Sequence, residues 1–207
     1  MRRAFVFPGQ GSQVVGMGQA IASAFPAARA MYQLADAALG WSVSDLCFNG
    51  PESRLTSTDN TQPALVATSL AVLAAMAGDV NAITAYTAGH AVAVAGHSLG
   101  EYSALAAAGS LAPADAIRLV RRRGELMAAA TSGGMAAVIG LDDDVIDQVC
   151  AHVSTLDDTV VVANYNSPGQ TVISGANAAL ARATEALKSA GAKRVLPLNV
   201  SAAFHSP

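Results

Sequence analysis

The chain has 207 residues, of which 52% are hydrophobic, 13% charged and 5% aromatic. This excludes a disordered polymer, which needs low hydropathy and dense charge, and is long enough to enclose a substantial core. Twelve Lys and Arg against fifteen Asp and Glu give a formal net charge of −3. That argues against a nucleic-acid binder, which needs a basic excess to displace counterions from phosphate.

Ala4–Phe7 reads as a first, buried strand, and the glycine-rich FPGQGSQ (7–13) follows it. Two arginines precede it, but Pro8 and Gly9 cut the apolar run far below what a secretory signal requires. Helices are expected near Met17–Phe25 and Ala27–Ala38, a polar loop over Asn49–Asn60, and a long helix from about Gln62 to Ala77. The apolar heart of that helix, Ala64 to Gly78, is shorter than the ~20 residues of a membrane span and is interrupted by Thr68 and Ser69. It reads as a buried helix, with no membrane segment and a cytoplasmic location expected. A second strand (Ala91–Ala95) and helices over Leu99–Ala108 and Pro113–Thr131 complete this part. Strand–helix alternation with nearly continuous apolar strands predicts a parallel sheet covered on both faces. Cys47 and Cys150 are too few for a disulfide scaffold and read as buried thiols.

The texture changes at Ser132-Gly133-Gly134. Strand, helix, strand, turn, strand, helix and strand then follow over 135–198, the βαββαβ order of a ferredoxin-like unit. The fold class expected is α/β: a large core formed by 1–132 and 200–207, with an inserted ferredoxin-like subdomain over 133–199.

The sharpest chemical signal is Gly96-His97-Ser98-Leu99-Gly100, between the apolar run AVAVA and the helical EYSALAAA. Strand, sharp turn and helix are the context of a nucleophile elbow. The two glycines leave room for the turn, Ser98 Oγ is lifted above the sheet, and the Leu99 N–H faces a developing oxyanion. The loop after the first strand is a source for a second oxyanion N–H.

A serine nucleophile needs a base. His97 is its neighbour in sequence and diverges from it at the turn. His152 falls on the first helix of the insert, and His90 in a loop before the elbow strand. His205, in SAAFHSP, gives the order Ser…His found in hydrolase-like sites and is the candidate general base. In RLVRRRGELM, successive helical side chains point about 100° apart, so at most one arginine faces a site beside Ser98. Arg123 is the candidate; a guanidinium in an acyl pocket would grip a free carboxylate in bidentate fashion.

Taken together, FPGQGSQ (7–13), GHSLGEYSAL (96–105), RRGELM (122–127), NYNSPGQTVISG (164–175) and SAAFHSP (201–207) resemble the malonyl-CoA:acyl-carrier-protein transacylases of bacterial fatty-acid synthesis. The resemblance implies a hydrolase-like α/β core with a ferredoxin-like subdomain. It makes Ser98 the acylated nucleophile, His205 its base, Arg123 the partner of the malonyl carboxylate, and the N–H groups of Gln10 and Leu99 the oxyanion hole. It also places Met127, His97 and Asn164 along the site. No bound cofactor or metal is implied: malonyl-CoA is a substrate and acyl carrier protein the partner. An acidic carrier protein would dock on local basic patches, for which Arg121–Arg123 and Lys188, Lys193 and Arg194 are candidates.

There are two departures. Ala202 stands where the family usually has a histidine, and the chain ends two residues after the candidate base. Members of the family continue further and include a glutamine whose carbonyl orients that base. The expectation is therefore a fragment, with His205 poorly fixed and one face of the core exposed. The rival readings are a polyketide-associated acyltransferase, a serine thioesterase or acyl hydrolase, and a non-catalytic scaffold that binds carrier protein.

Overall fold

A computed structural model describes residues 3–207. The chain divides into two compact units, Met1–Ala128 and Ala129–Pro207.

In the first unit, strand β1 (Ala4–Phe7) pairs in parallel with β2 (Ala93–Gly96), in the register Ala4↔Ala93 to Phe7↔Gly96. Helices α1 (Gln19–Ala24), α2 (Pro26–Leu39), α3 (Val43–Asn49), α4 (Glu52–Leu55) and α5 (Thr58–Ala77) fall between them. A 3₁₀ turn (Val80–Ala82) and α6 (Ile83–His90) follow, and α7 (Gly100–Ala107) and α8 (Pro113–Ala129) come after β2. The expected polar loop over 49–60 is a correction, since it contains α4 and the first turn of α5. Ser42 starts α3, its hydroxyl accepting from the Asp45 N–H.

Helix α5 is apolar on nearly every side, as a helix through a core must be. Thr61–Ala67, Leu70, Ala71, Leu73 and Ala74 are all buried, and α2, α3 and α7 pack around it. It has 20 residues, so its length does not argue against a membrane span as the shorter apolar heart had suggested. Among the described residues it is the one helix long and apolar enough to cross a bilayer, and it lies mostly inside the protein.

Among the described residues the strands of this unit are covered on one face only, which corrects the expectation of a sheet covered on both faces and agrees with that of an exposed core face. Phe5 and Phe7 turn into the helical core while Val6 between them is 75% exposed, the period-2 alternation of a strand with one covered face. Beside β1, an apolar groove of about 440 Å³ is lined by Val6, Leu65, Val72 and Met76, among others.

The second unit holds β3 (Gly134–Ile139), α9 (Asp143–Val153), β4 (Val160–Ser167), β5 (Gln170–Gly175), α10 (Asn177–Ser189) and β6 (Arg194–Pro197). The sheet order is β4-β5-β3-β6, and every neighbouring pair is antiparallel. One sheet face buries Val138, Val160 and Ile173 against Ile146 and Cys150 of α9 and Ala179, Ala183 and Leu187 of α10. On the other face, Met135, Ala137 and Val172 carry Ile139, Ala163 and Phe204. Residues 200–207 group with this unit, where the Ala203 N–H donates to Ser132 O at 3.0 Å. Both cysteines are buried and unbridged.

Candidate functional site

The site is built on the turn between β2 and α7. Gly96 and Gly100 are packed so tightly that neither tolerates a side chain. A Cβ on Gly96 would lie 1.9 Å from Gly100 C, and one on Gly100 would lie 2.3 Å from Phe7 O. The chain therefore turns from strand to helix within four residues, pressed against the end of β1. The His97 N–H donates to Phe7 O at 3.1 Å, which ties the elbow to the start of the Pro8–Gln10 loop.

At the apex, Ser98 has φ 50°, in the left-handed region. Among the described residues only one other non-glycine residue has positive φ, His205 at 58°. Such conformations cost of order 1–3 kcal/mol and persist where surrounding structure over-determines them, often at functional positions. Leu99, buried, follows Ser98 at the mouth of α7, so its N–H belongs to the positive end of that helix.

One expected partner reaches Ser98 directly. Arg123 Nη2 donates to Ser98 Oγ at 3.1 Å. Its Nη1 donates to Gln62 Oε1 at 2.8 Å, and the guanidinium lies 5.9 Å from the centre of the Tyr102 ring. Gln62 was not singled out from the sequence. It is fully buried on α5, and its Nε2 donates to Met127 Sδ at 3.1 Å. Arg123 and Met127, four residues apart on α8, thus meet the two ends of one amide. The available signal was a glutamine inside an apolar helical run, because a buried amide must find partners.

Gln10 is exposed, and its Nε2 donates to Thr58 Oγ1 at 3.3 Å in the first turn of α5. The His97 side chain lies over Gly9, where a Cβ would come within 2.7 Å of His97 Nδ1. A larger residue at 9 would collide with that ring. His90 is not in a loop as expected. It closes α6, with Nδ1 at 2.8 Å from Tyr86 O and its ring stacked on Tyr86 at 4.1 Å.

The two remaining candidates belong to the second unit. Asn164 lies on β4 beside a register shift, between Val162 and Asn164, opposite Val172 of β5. His205 is exposed in a turn anchored by buried Ala202 and by Phe204 against the Met135 face; Ser206 Oγ donates to Ala203 O at 3.0 Å. His152 is exposed on α9. Within the basic runs, Arg121 and Arg122 both pair with Glu125, and Lys188 pairs with Glu185. Among the described residues no cluster of three or more His, Cys, Asp or Glu could hold a metal ion. Ser98, Leu99, Gln10, His97, Arg123 and Met127 all lie in the first unit.

The family model for an acyl transferase domain matches residues 4–207. A malonyl CoA-acyl carrier protein transacylase of Bacillus subtilis (strain 168) is 46% identical over 207 residues, covering 98% of this chain and 62% of that protein. One from Staphylococcus aureus (strain N315) is 44% identical over 208 residues, covering 99% and 64%. Among solved structures, an acyl-carrier-protein S-malonyltransferase of Burkholderia pseudomallei 1710b superposes with a TM-score of 0.86 at 45% identity, covering all of this chain and 65% of its own. A malonyl-transacylase in complex with a type II PKS acyl-carrier protein gives a TM-score of 0.82 at 43% identity, covering 98% and 64%. The chain thus spans a little under two thirds of the length of the relatives it matches.

Proposed function

The chain belongs to the acyl transferase domain family, and from that premise we propose that the full-length protein carries a malonyl group from CoA to the phosphopantetheine thiol of acyl carrier protein. Ser98 Oγ attacks the thioester carbonyl carbon while His205 takes the hydroxyl proton. The Leu99 and Gln10 N–H groups stabilise the oxyanion, an effect of about 3–4 kcal/mol per donor in comparable sites. The tetrahedral intermediate collapses, the C–S bond breaks, and CoA leaves as the thiol with the proton from His205. The carrier-protein thiol then attacks the malonyl-serine ester, and His205 takes its proton and returns it to Ser98.

The observation that carries this reading is the Arg123 guanidinium on Ser98 Oγ, held from behind by buried Gln62. A fixed positive charge within hydrogen-bond reach of the nucleophile suits an acyl group whose far end is a carboxylate. It has no task in a hydrolase for neutral esters. Met127, His97 and Asn164 are the proposed lining of the same site, with no bound cofactor or metal required and a cytoplasmic setting. The βαββαβ order and β4-β5-β3-β6 arrangement support a ferredoxin-like subdomain over 133–199. The parallel pair with its elbow supports a hydrolase-like core within 1–132; residues 200–207, expected in that core, group instead with the second unit.

The test is the intact mass of the full-length protein after incubation with malonyl-CoA. The expected result is one malonyl adduct that is absent from Ser98→Ala and discharged by holo acyl carrier protein. No adduct on the wild type refutes the enzyme, leaving the binding scaffold. An adduct discharged equally fast by water identifies a thioesterase. Delivery to a polyketide carrier is the second reading, supported by the relative solved with a type II PKS carrier protein; rates with the two carrier classes separate it.

A further inference from the structure

Helix α5 contains Pro63, which has no N–H to give to the carbonyl four residues back, Asp59 O. That carbonyl has a replacement donor from another helix: Arg121 Nη1, at 3.1 Å. The same Nη1 lies 2.8 Å from Asn60 Oδ1 and 3.3 Å from Asp59 Oδ2, and Arg121 Nε donates to Glu125 Oε1 at 2.8 Å. The guanidinium lies 5.8 Å from the centre of the Trp41 ring, the chain's single tryptophan. Its hydrogen bond, with that of Arg122, holds the Glu125 carboxyl below its ordinary value of 4.5.

The helices joined by this clamp touch backbone to backbone. A Cβ on Gly124 would lie 2.7 Å from Asp59 Cα and 2.8 Å from Thr58 O. The first turns of α5 also hold site groups: Thr58 accepts from Gln10, and Gln62 holds Arg123 and Met127. Arg121 and Arg123 therefore engage the same short stretch of α5, two residues apart on α8.

We propose that Arg121 is a positioning residue for acyl recognition: by occupying the carbonyl that Pro63 leaves unpaired, it locks α5 to α8 and so fixes the direction in which Gln62 holds the Arg123 guanidinium. The inference rests on the malonyl reading above. It differs from a purely structural role in its consequence. A loosened clamp blurs the aim of Arg123, so the loss falls on acyl groups that carry a carboxylate and spares those that do not.

The test compares wild type, Arg121→Gln, Arg121→Lys and a control, Arg118→Gln, whose pair with Asp115 is exposed on the same helix. Malonyl-CoA and acetyl-CoA are the donors, Ser98 acylation is the readout, and Trp41 emission reports the clamp. Arg121→Gln is expected to raise KM for malonyl-CoA about tenfold, in the range of a partly buried charge-assisted network. Its kcat should stay within about twofold, acetyl-CoA kinetics should hardly change, and Trp41 emission should shift. Arg121→Lys keeps the charge but not the fork and should fall between; it carries the test if the glutamine variant does not fold. The control should match wild type. Equal losses with both donors, or no loss with either, overturn the inference. A wild-type protein that takes no malonyl group instead refutes the underlying function.

Discussion

Replacing Arg123 by alanine tests the proposed chemistry most directly. In the resting protein the substitution removes the donors to Gln62 Oε1 and Ser98 Oγ and the cation over Tyr102. Gln62 is fully buried, so its carbonyl is left unpaired, at a cost of about 1–3 kcal/mol. The melting temperature should fall by several degrees, since ~1 kcal/mol corresponds to a few degrees in a protein of this size. In the acylation step two charge-assisted hydrogen bonds to the substrate carboxylate disappear, at roughly 1.5–3 kcal/mol each. Malonyl transfer to Ser98 should therefore drop by a factor on the order of 10²–10⁴. Acylation by acetyl-CoA, which has no carboxylate to lose, should stay near its wild-type rate. Rapid-quench mass spectrometry of the Ser98 adduct with both donors measures the ratio. A double substitution with Gln62→Ala should give a coupling energy of about 0.5–3 kcal/mol, as for residues in direct contact. If both donors slow by the same factor, Arg123 only holds the elbow and the reasoning fails.

Gly100→Ala pushes a methyl against Phe7 O at 2.3 Å and should cost at least 1–3 kcal/mol, whereas Gly89→Ala, in a helix with open space around it, should stabilise by about 0.5–1 kcal/mol; equal melting shifts for the two would refute the packing account. Burial pushes the Cys47 thiol from its ordinary 9.0 up to about 12. The unfolded chain therefore ionises first, and stability present below pH 9 should fall by up to ~1.4 kcal/mol per pH unit between about 9 and 12; alkaline melts of wild type and Cys47→Ala check this, and parallel curves refute it. Thr87 Oγ1 is buried with no partner among the described residues, so Thr87→Val should be neutral or stabilising by about 1 kcal/mol in thermal melts. A loss of that size would mean that the full-length protein supplies the hydroxyl with a partner.

Residues whose signal is local were the most legible. The elbow needed only a strand, two glycines and a helix in sequence, and the same five residues make the turn. The second unit was also readable, because its strands and helices alternate at short, regular intervals with glycine or a turn between them. What failed was local too, but depended on what lay beside it. Val6 looks as buried as Phe5 in a list of apolar residues, yet only one face of β1 meets the helical core. His90 looked like part of a loop because α6, with two threonines and a glycine, has little helical signal of its own. Its backbone is set by Ile83 and Thr87 packing inward.

The support of Arg123 was illegible for a different reason. A run of three arginines carries no mark of which one turns inward, and helical geometry allows only one to point at Ser98. The choice is made on another helix. Pro63 removes a donor from α5 and leaves Asp59 O open, and Arg121 takes it. Gln62, one residue before the proline, is buried where an amide must find partners, and Arg123 and Met127 supply them. Arg122, between the two inward arginines, is left pointing outward and is exposed. The proline, the glutamine and the two arginines are thus one arrangement, read only when 59–63 and 121–127 are set side by side. This also separates Arg121 from the basic surface expected to meet a carrier protein. A guanidinium engaged by Asp59, Asn60 and Glu125 offers little charge to a partner, so Arg121→Gln should leave the KM for carrier protein within about twofold. A fall in carrier affinity with unchanged malonyl-CoA kinetics would return Arg121 to the docking surface.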